Sequence, residues 1–446
     1  MPRSANTEMA QPLFGQPVFN QTTQTADPTG FLVPFQNDDA IYKQIEKLLT
    51  KDVVSFEKSR TADNELYTLA QAYGPPGQGV VDQIKKAGSI VFHAAGDSGA
   101  TTSKKYQSEI TVADQMTTDA LTKEVDDRPS FLLHLGDVVY DFGQADYYYD
   151  QFYDPFRNYP APIFAIPGNH DSFIVPGTAK ANEPLVTFAR NFCSSTVVIT
   201  PEAKSLSRTA MTQPGVYYAL DVPFVRIICL FSNALEDPGV ISSAKGKYKT
   251  VPDYQLGFLE AQLDLIKTDK YKGAVLIAVH HPPFSFSPKN GSSTGNHGSS
   301  TEMLSEIDTI CKGAGVYPHA IISGHAHNYQ RYTRTFAFGG KDIDVPYIIS
   351  GSGGHAVNAL TRAKRGQPSQ EPKNGSDVSY LDSKSVFGKT TLILEKYDDE
   401  KSGYLRISAD DSHLRIAFHE ATEGSILQSR YDLVTVDIAS HEMVAN

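Results

Sequence analysis

The stretch Phe131-Leu132-Leu133-His134-Leu135-Gly136-Asp137-Val138-Val139-Tyr140 decides how the chain is read. Its first half, Phe131–Leu135, is a short β-rich run. Its second half breaks the run with Gly-Asp and sets a carboxylate and a phenol just past the strand's carboxyl end. The arrangement recurs. Ile90–Ala94 leads into Gly96-Asp97-Ser98-Gly99, and Ile163–Ile166 into Pro167-Gly168-Asn169-His170-Asp171. Ala274–Val279 leads into His280-His281-Pro282-Pro283, and Ala320–Ile322 into Gly324-His325-Ala326-His327. In open α/β sheets ligands bind beyond the carboxyl ends of strands, so one crevice can collect all five clusters.

Outward from these clusters, Val225–Phe231 and Val345–Ile349 add β-runs. Leu256, Leu259, Leu263 and Ile266 fall on one helical face, as do Met303, Ile307 and Ile310. Strand–helix alternation of this kind predicts an α/β fold. Thr390–Glu395, Gly403–Ala409, Leu414–His419 and Ser429–Val436 read as consecutive strands, an antiparallel segment closing the domain. Residues 1–37, rich in Gln, Asn, Thr and Pro, read as an irregular arm. Ile41, Ile45, Leu48 and Leu49 predict a helix after Asn37, and a second helix near Asn64–Tyr73 stops at Gly74-Pro75-Pro76-Gly77. The expected division is an N-terminal arm and helical extension over 1–86, a catalytic domain over 87–440 and a tail over 441–446. Thr361–Ser385 reads as a long polar loop.

The 446 residues carry 40 basic and 51 acidic side chains, a net charge of −11. That balance argues against nucleic acid or an anionic membrane as the main partner. No apolar run reaches the ~18 residues of a membrane span. The N-terminal stretch shows no apolar signal-peptide core, which predicts a cytoplasmic protein, or a periplasmic or secreted one if a leader is removed. Three widely spaced cysteines, Cys193, Cys229 and Cys311, exclude a dense disulfide framework. Oligomeric state is left open.

Carboxylates, an amide oxygen, imidazoles and a phenol are hard or borderline metal ligands. Their number suits two metals. Two cations about 3.5–4 Å apart, bridged by a carboxylate, clamp the oxygens of an in-line displacement and acidify a bound water. The substrate this suits is a small phosphate ester.

The ordered set GDSG, GDVVY, GNHD, HHPP and GHAH resembles the five-block signature of the binuclear metallophosphoesterases, and most of all their purple acid phosphatase branch. In the general family the first block is Asp-x-His. Here Gly99 takes the third position and Tyr140 appears in the second block, the exchange that marks the purple branch. Gly324–Arg331 and Ile348–Gly354 (IISGSGG) resemble that branch too, and the likeness runs over roughly 89–437. It implies a four-layer αββα sandwich of two mixed sheets. It implies that Asp97, Tyr140 and His327 hold Fe(III), that Asp137 bridges, and that Asn169, His280 and His325 complete a divalent Fe, Zn or Mn site. His280, rather than His281, stands two residues before the proline as the family's ligand does. His170 is implied as a phosphate-binding group or proton donor, with His297 as a second such histidine. The implied reaction is hydrolysis of phosphomonoesters by a hydroxide held on the metals, with an acid optimum.

Other readings of the same residues are blander. His93, His134 and His319, in or beside β-runs, read as structural; His355 follows a glycine run near the expected site and could touch substrate, with surface loop the better reading; His413, His419 and His441 carry no role. Tyr147–Tyr149 reads as packing. A phosphodiesterase acting on cyclic nucleotides or other diesters is the alternative substrate reading. A non-catalytic scaffold predicts the loss of a ligand block, and every block is filled.

Overall fold

The computed structural model describes residues 53–173, 185–286, 297–360, 372–425 and 429–445, and before them only Ala40, Lys43, Gln44 and Lys47. Ala40, Lys43, Gln44 and Lys47 are helical, while Ile41, Ile45, Leu48 and Leu49 lie outside the described residues, as do positions 361–371 of the polar loop.

Sixteen strands are seen among the described residues. They are β1 (Tyr67–Thr68), β2 (Ser89–Ala95), β3 (Leu132–His134), β4 (Ile163–Ala165), β5 (Tyr218–Val222), β6 (Val225–Leu230), β7 (Ala274–Val279) and β8 (Ala320–Ser323). There follow β9 (Tyr329–Phe338), β10 (Lys341–Ser350), β11 (Ser376–Asp377), β12 (Thr391–Asp398), β13 (Gly403–Asp410), β14 (His413–Glu420), β15 (Ser429–Asp437) and β16 (Met443–Val444). The α-helices are α1 (Leu69–Tyr73), α2 (Gly77–Ala87), α3 (Ser103–Thr122), α4 (Val186–Phe192), α5 (Tyr254–Thr268) and α6 (Thr301–Ala314).

The strands form two mixed sheets, and together with the helices they make the α/β sandwich expected. One has the order β1-β5-β6-β7-β8-β10-β9-β12-β11, the other β16-β15-β14-β13-β2-β3-β4. β6, β7 and β8 run parallel, as do β2, β3 and β4. β2, β3, β4, β6, β7 and β8 are almost wholly buried, which is why they read as largely apolar runs, broken by Ser89, His93, His134, Arg226 and Ser323, rather than as alternating ones. A single hydrophobic core draws on both sheets. The five clusters therefore do not share one sheet edge: three follow strands of the smaller sheet and two follow strands of the larger.

The tail also divides between the sheets. β12 pairs with β9 in the larger sheet, while β13, β14 and β15 form an antiparallel meander that extends β2. Near the N-terminus, Gly74–Gly77 ends one helix and starts another, and β1 pairs in parallel with β5. Phe56 and Tyr67 pack into the same core as the sheets. Tyr148 and Tyr149 are buried there too, so that aromatic run is packing. No described helix is long and apolar enough to cross a membrane.

Candidate metal centre

Three of the strand-end residues stand in a backbone conformation that side chains resist. Asp97, Asp137 and His325 have φ of 60°, 54° and 68°. Such positions cost of order 1–3 kcal/mol each and persist where the surroundings over-determine them. Here Asp97 N–H donates to Gly136 O at 2.9 Å, and His325 N–H donates to Asp97 Oδ2 at 2.7 Å. The Asp171 carboxylate accepts from the N–H groups of Val138, Val139 and Gly168 at 2.9–3.1 Å, lashing the second and third loops together. Burial, with Asp137 adding to it, pushes the Asp171 carboxyl up to about 7. A Cβ on Gly168 would lie 2.1 Å from Asp137 Oδ1, so only glycine lets these loops close.

On this frame the predicted ligands converge from both sheets. The Tyr140 hydroxyl lies 3.1 Å from Asp97 Oδ1, 2.8 Å from Asp137 Oδ2 and 3.1 Å from His327 Nε2. On the other side of Asp137, His280 Nε2 lies 3.4 Å from Asp137 Oδ2 and 3.1 Å from Asn169 Oδ1. His325 Nδ1 is also 3.1 Å from Asn169 Oδ1. Asp97, Asp137, Tyr140, Asn169, His280 and His325 are buried, and Asp137, His280 and His325 each turn a ligating atom to within 4.8 Å of the others.

The donor chemistry fits cations. His280 Nδ1 is 2.7 Å from Leu135 O, which can only accept, so Nδ1 carries the proton and Nε2 turns a lone pair inward. His325 is held the same way in reverse, with Nε2 against Glu236 O at 2.7 Å and Nδ1 inward. Asn169 turns its amide nitrogen to Glu236 Oε2, leaving Oδ1 to the histidines. Lone pairs thus face lone pairs, which a cation resolves. Protons are the only alternative: burial would lower His280, but Asp137 outweighs it and pushes the ring up to about 9. Burial and the carboxylates of Asp137 and Asp97 hold the Tyr140 phenol well above its usual range, so a phenolate here needs a positive charge beside it.

His281, next in sequence, faces elsewhere: its nitrogens meet Ser232 Oγ and Leu235 O, each at 2.7 Å. His170 is half-buried over the cluster, its Nδ1 donating to Asp141 O at 2.6 Å and its ring 4.3 Å from that of Tyr140. Burial opposes its protonation, yet Asp137, Glu236 and Asp141 together raise its pKa. His297 stacks 3.9 Å from His325, with Nδ1 3.4 Å from Glu236 Oε1; burial and His327 hold it well below the usual range.

One expectation is overturned. His355 is not on a surface loop: it is 7% exposed and stacks on Tyr140 at 3.6 Å. Its Nδ1 donates to Gly99 O and its N–H to Asp97 O, so the loop after β10 folds back over the first block. Asn358 sits against His327 in the same loop. The glycine run Gly351–Gly354 was the available signal. A Cβ at Gly351 would meet Ala326 O at 2.2 Å, which shows how close the loop passes. The structural histidines stand as read: His93 pairs with Asp119, His134 with Ser98 Oγ, and His319 with Val275 N and Ile438 O.

Residues 114–329 match the family described as Calcineurin-like phosphoesterase. This match supports a metallophosphoesterase domain and, with it, a metal-dependent hydrolase of phosphoric esters. The matched span holds four of the five clusters, and Asp97 precedes it. Among solved structures, "GAP50 the anchor in the inner membrane complex of Plasmodium" aligns at 14% identity over 77% of this chain and 88% of that one, with TM-score 0.44. "Structure of PhoD" aligns at 11% identity over 80% of this chain and 72% of that one, with TM-score 0.44. No curated protein matches the sequence.

Proposed function

We propose that this metallophosphoesterase domain hydrolyses phosphomonoesters in the manner of a purple acid phosphatase, at a mixed centre of Fe(III) and divalent Fe, Zn or Mn. The observation that carries the reading is the Tyr140 hydroxyl, 2.8 Å from Asp137 and 3.1 Å from Asp97 and His327. It offers a hard anionic oxygen where Gly99 leaves out the first-block imidazole of the general family. Asp97, Tyr140 and His327 would hold the ferric ion, Asn169, His280 and His325 the divalent one, with Asp137 between them.

When bound, such cations supply Lewis-acid charge to the phosphoryl oxygens and acidify a water for in-line attack. The chain's own residues do the rest. Leu135 O and Glu236 O fix the tautomers of His280 and His325. His170, its Nδ1 engaged by Asp141 O, has Nε2 left to hold a phosphoryl oxygen or to protonate the leaving alkoxide. His297, on the Glu236 side, is the second candidate for that task.

The test is a pair of rates, an aryl phosphomonoester against its bis-aryl diester, from acid to alkaline pH. Protein loaded with iron plus zinc is compared with protein loaded with manganese. A strong monoester preference with an acid optimum supports the proposal. A diester preference near neutral pH overturns the substrate and favours the phosphodiesterase alternative. Asp97→Asn and His325→Ala should each abolish turnover; wild-type rates with normal metal content in either would remove that residue from the centre.

A further inference from the structure

Beside the centre, behind His355, lies an open cavity of about 650 Å³. Five charged residues line it: Lys104, Lys105 and Lys401, against Glu400 and Glu423. Four of them are exposed, so water screens them, and their charges cancel. Lys105 is different. It is half-buried at the start of α3, and its Nζ lies 2.7 Å from His355 Nε2. His355 Nδ1 donates to Gly99 O at 2.6 Å, so Nε2 is the ring's acceptor and the imidazole is neutral. No carboxylate among the described residues comes within 4.0 Å of that ammonium. Asp141 is the acid whose charge reaches it, from farther off. A half-buried ammonium with only a neutral imidazole beside it attracts an anion.

The position of this ammonium matters. One face of His355 stacks on Tyr140 at 3.6 Å, and the ring is 5.2 Å from that of His327. Lys105 is therefore a single imidazole away from the residues proposed to hold the ferric ion. A leaving group directed from the centre past His355 would approach this ammonium.

We propose that Lys105 is a specificity-determining residue, and that the cavity takes a second anionic group of the substrate. The favoured class is then a phosphomonoester whose alcohol also carries a carboxylate or another phosphate. His355 is the positioning residue, holding the ammonium at the rim. The inference rests on the monoester reading proposed above.

The full chain, loaded with iron and zinc, is given 3-phosphoglycerate and glycerol 3-phosphate, which differ by a carboxylate in place of a hydroxymethyl group. The wild type should favour 3-phosphoglycerate by about tenfold or more in kcat/KM, mostly through KM, since an ion pair made equally in ground and transition states acts on binding. Lys105→Met should bring the ratio to about one, and Lys105→Arg should keep most of it. Calorimetry gives a readout apart from turnover: phosphonoacetate should bind about tenfold more tightly than methylphosphonate to the wild type, and equally to Lys105→Met. If both monoesters are turned over with a ratio near one, or if the preference survives Lys105→Met, this inference is overturned and the monoester reading stands. If neither monoester is turned over, the monoester reading falls, and the phosphonate pair still decides whether Lys105 binds an anion.

Discussion

The hydroxyl of Tyr140 lies 2.8 Å from Asp137 Oδ2, near enough for the phenol and the carboxylate to share one cation. Burial and the surrounding carboxylates hold the phenol neutral until positive charge arrives, so its ionisation reports what is bound. Iron-loaded, oxidised protein should be purple, through charge transfer from tyrosinate to ferric iron. Tyr140→Phe should lose the band while Asp97, Asp137 and His327 remain to hold metal. A colourless wild type with full iron content would end the Tyr140 assignment.

The packing of the second and third loops makes a sharper steric prediction. Gly168→Ala drives a methyl group into Asp137, and the nearby atoms are backbone and a buried carboxylate that cannot move aside. Metal content and turnover should both fall at least a hundredfold. Gly257→Ala is the control: it sits in α5 with nothing within 4 Å of the added Cβ, and should gain up to about 1 kcal/mol from helix propensity. Equal metal binding by the two variants would show that the loops reopen at little cost.

What was legible follows from the physics of each element. The buried strands β2, β3, β4, β7 and β8 are mostly apolar runs followed by Gly, Pro or His, so both strand and cluster stand out along the chain. The sheet a strand joins is decided by pairing across hundreds of residues. Nothing local says that β12 pairs with β9 while β13, a few residues on, pairs with β2. α3 was hidden for another reason: its exposed face is so polar that the apolar stripe through Val112 and Met116 is weak. At the site, the residues offered as ligands were the ones flanked by glycine or proline at strand ends. His355 and Glu236 act through a stacked ring and a backbone carbonyl, contacts with no sequence spacing to find.

Away from the site, Arg334 is wholly buried, forked between Asp308 at 2.8–3.0 Å and Asp382 at 2.8–3.2 Å, with Tyr317 and Tyr347 each at 3.0 Å from Nη1. Removing one member of such a cluster strands the others without charge balance, at about 3–5 kcal/mol. Arg334→Met should therefore lower the unfolding free energy by that amount in urea. Arg334→Lys, which cannot reach both carboxylates in the same fork, should fall between. A loss under 1 kcal/mol for Arg334→Met would mean that the two aspartates find other partners.

The buried histidines set an acid limit on the fold. His319 accepts from Val275 N–H at 2.9 Å through Nδ1 and donates to Ile438 O at 3.0 Å through Nε2, an arrangement that only the neutral ring satisfies. Burial pushes it down to about 4, against about 6.5 when unfolded; Asp437 opposes the shift and Lys341 adds to it. His441, stacked on it at 4.0 Å, is pushed to about 3 by burial and by His319. A lowered folded value means that the unfolded chain binds the proton first. The stability from His319 is complete above about pH 6.5 and is lost as pH falls towards 4, up to about 3 kcal/mol. Urea midpoints should drop between pH 7 and pH 5, and His319→Gln should flatten that drop while lowering stability at pH 7. An unchanged slope in the variant would place the acid sensitivity elsewhere. If the enzyme works best in acid, its optimum is then bounded from below by unfolding as well as by chemistry, and His319→Gln should move the acid limb of inactivation without moving kcat.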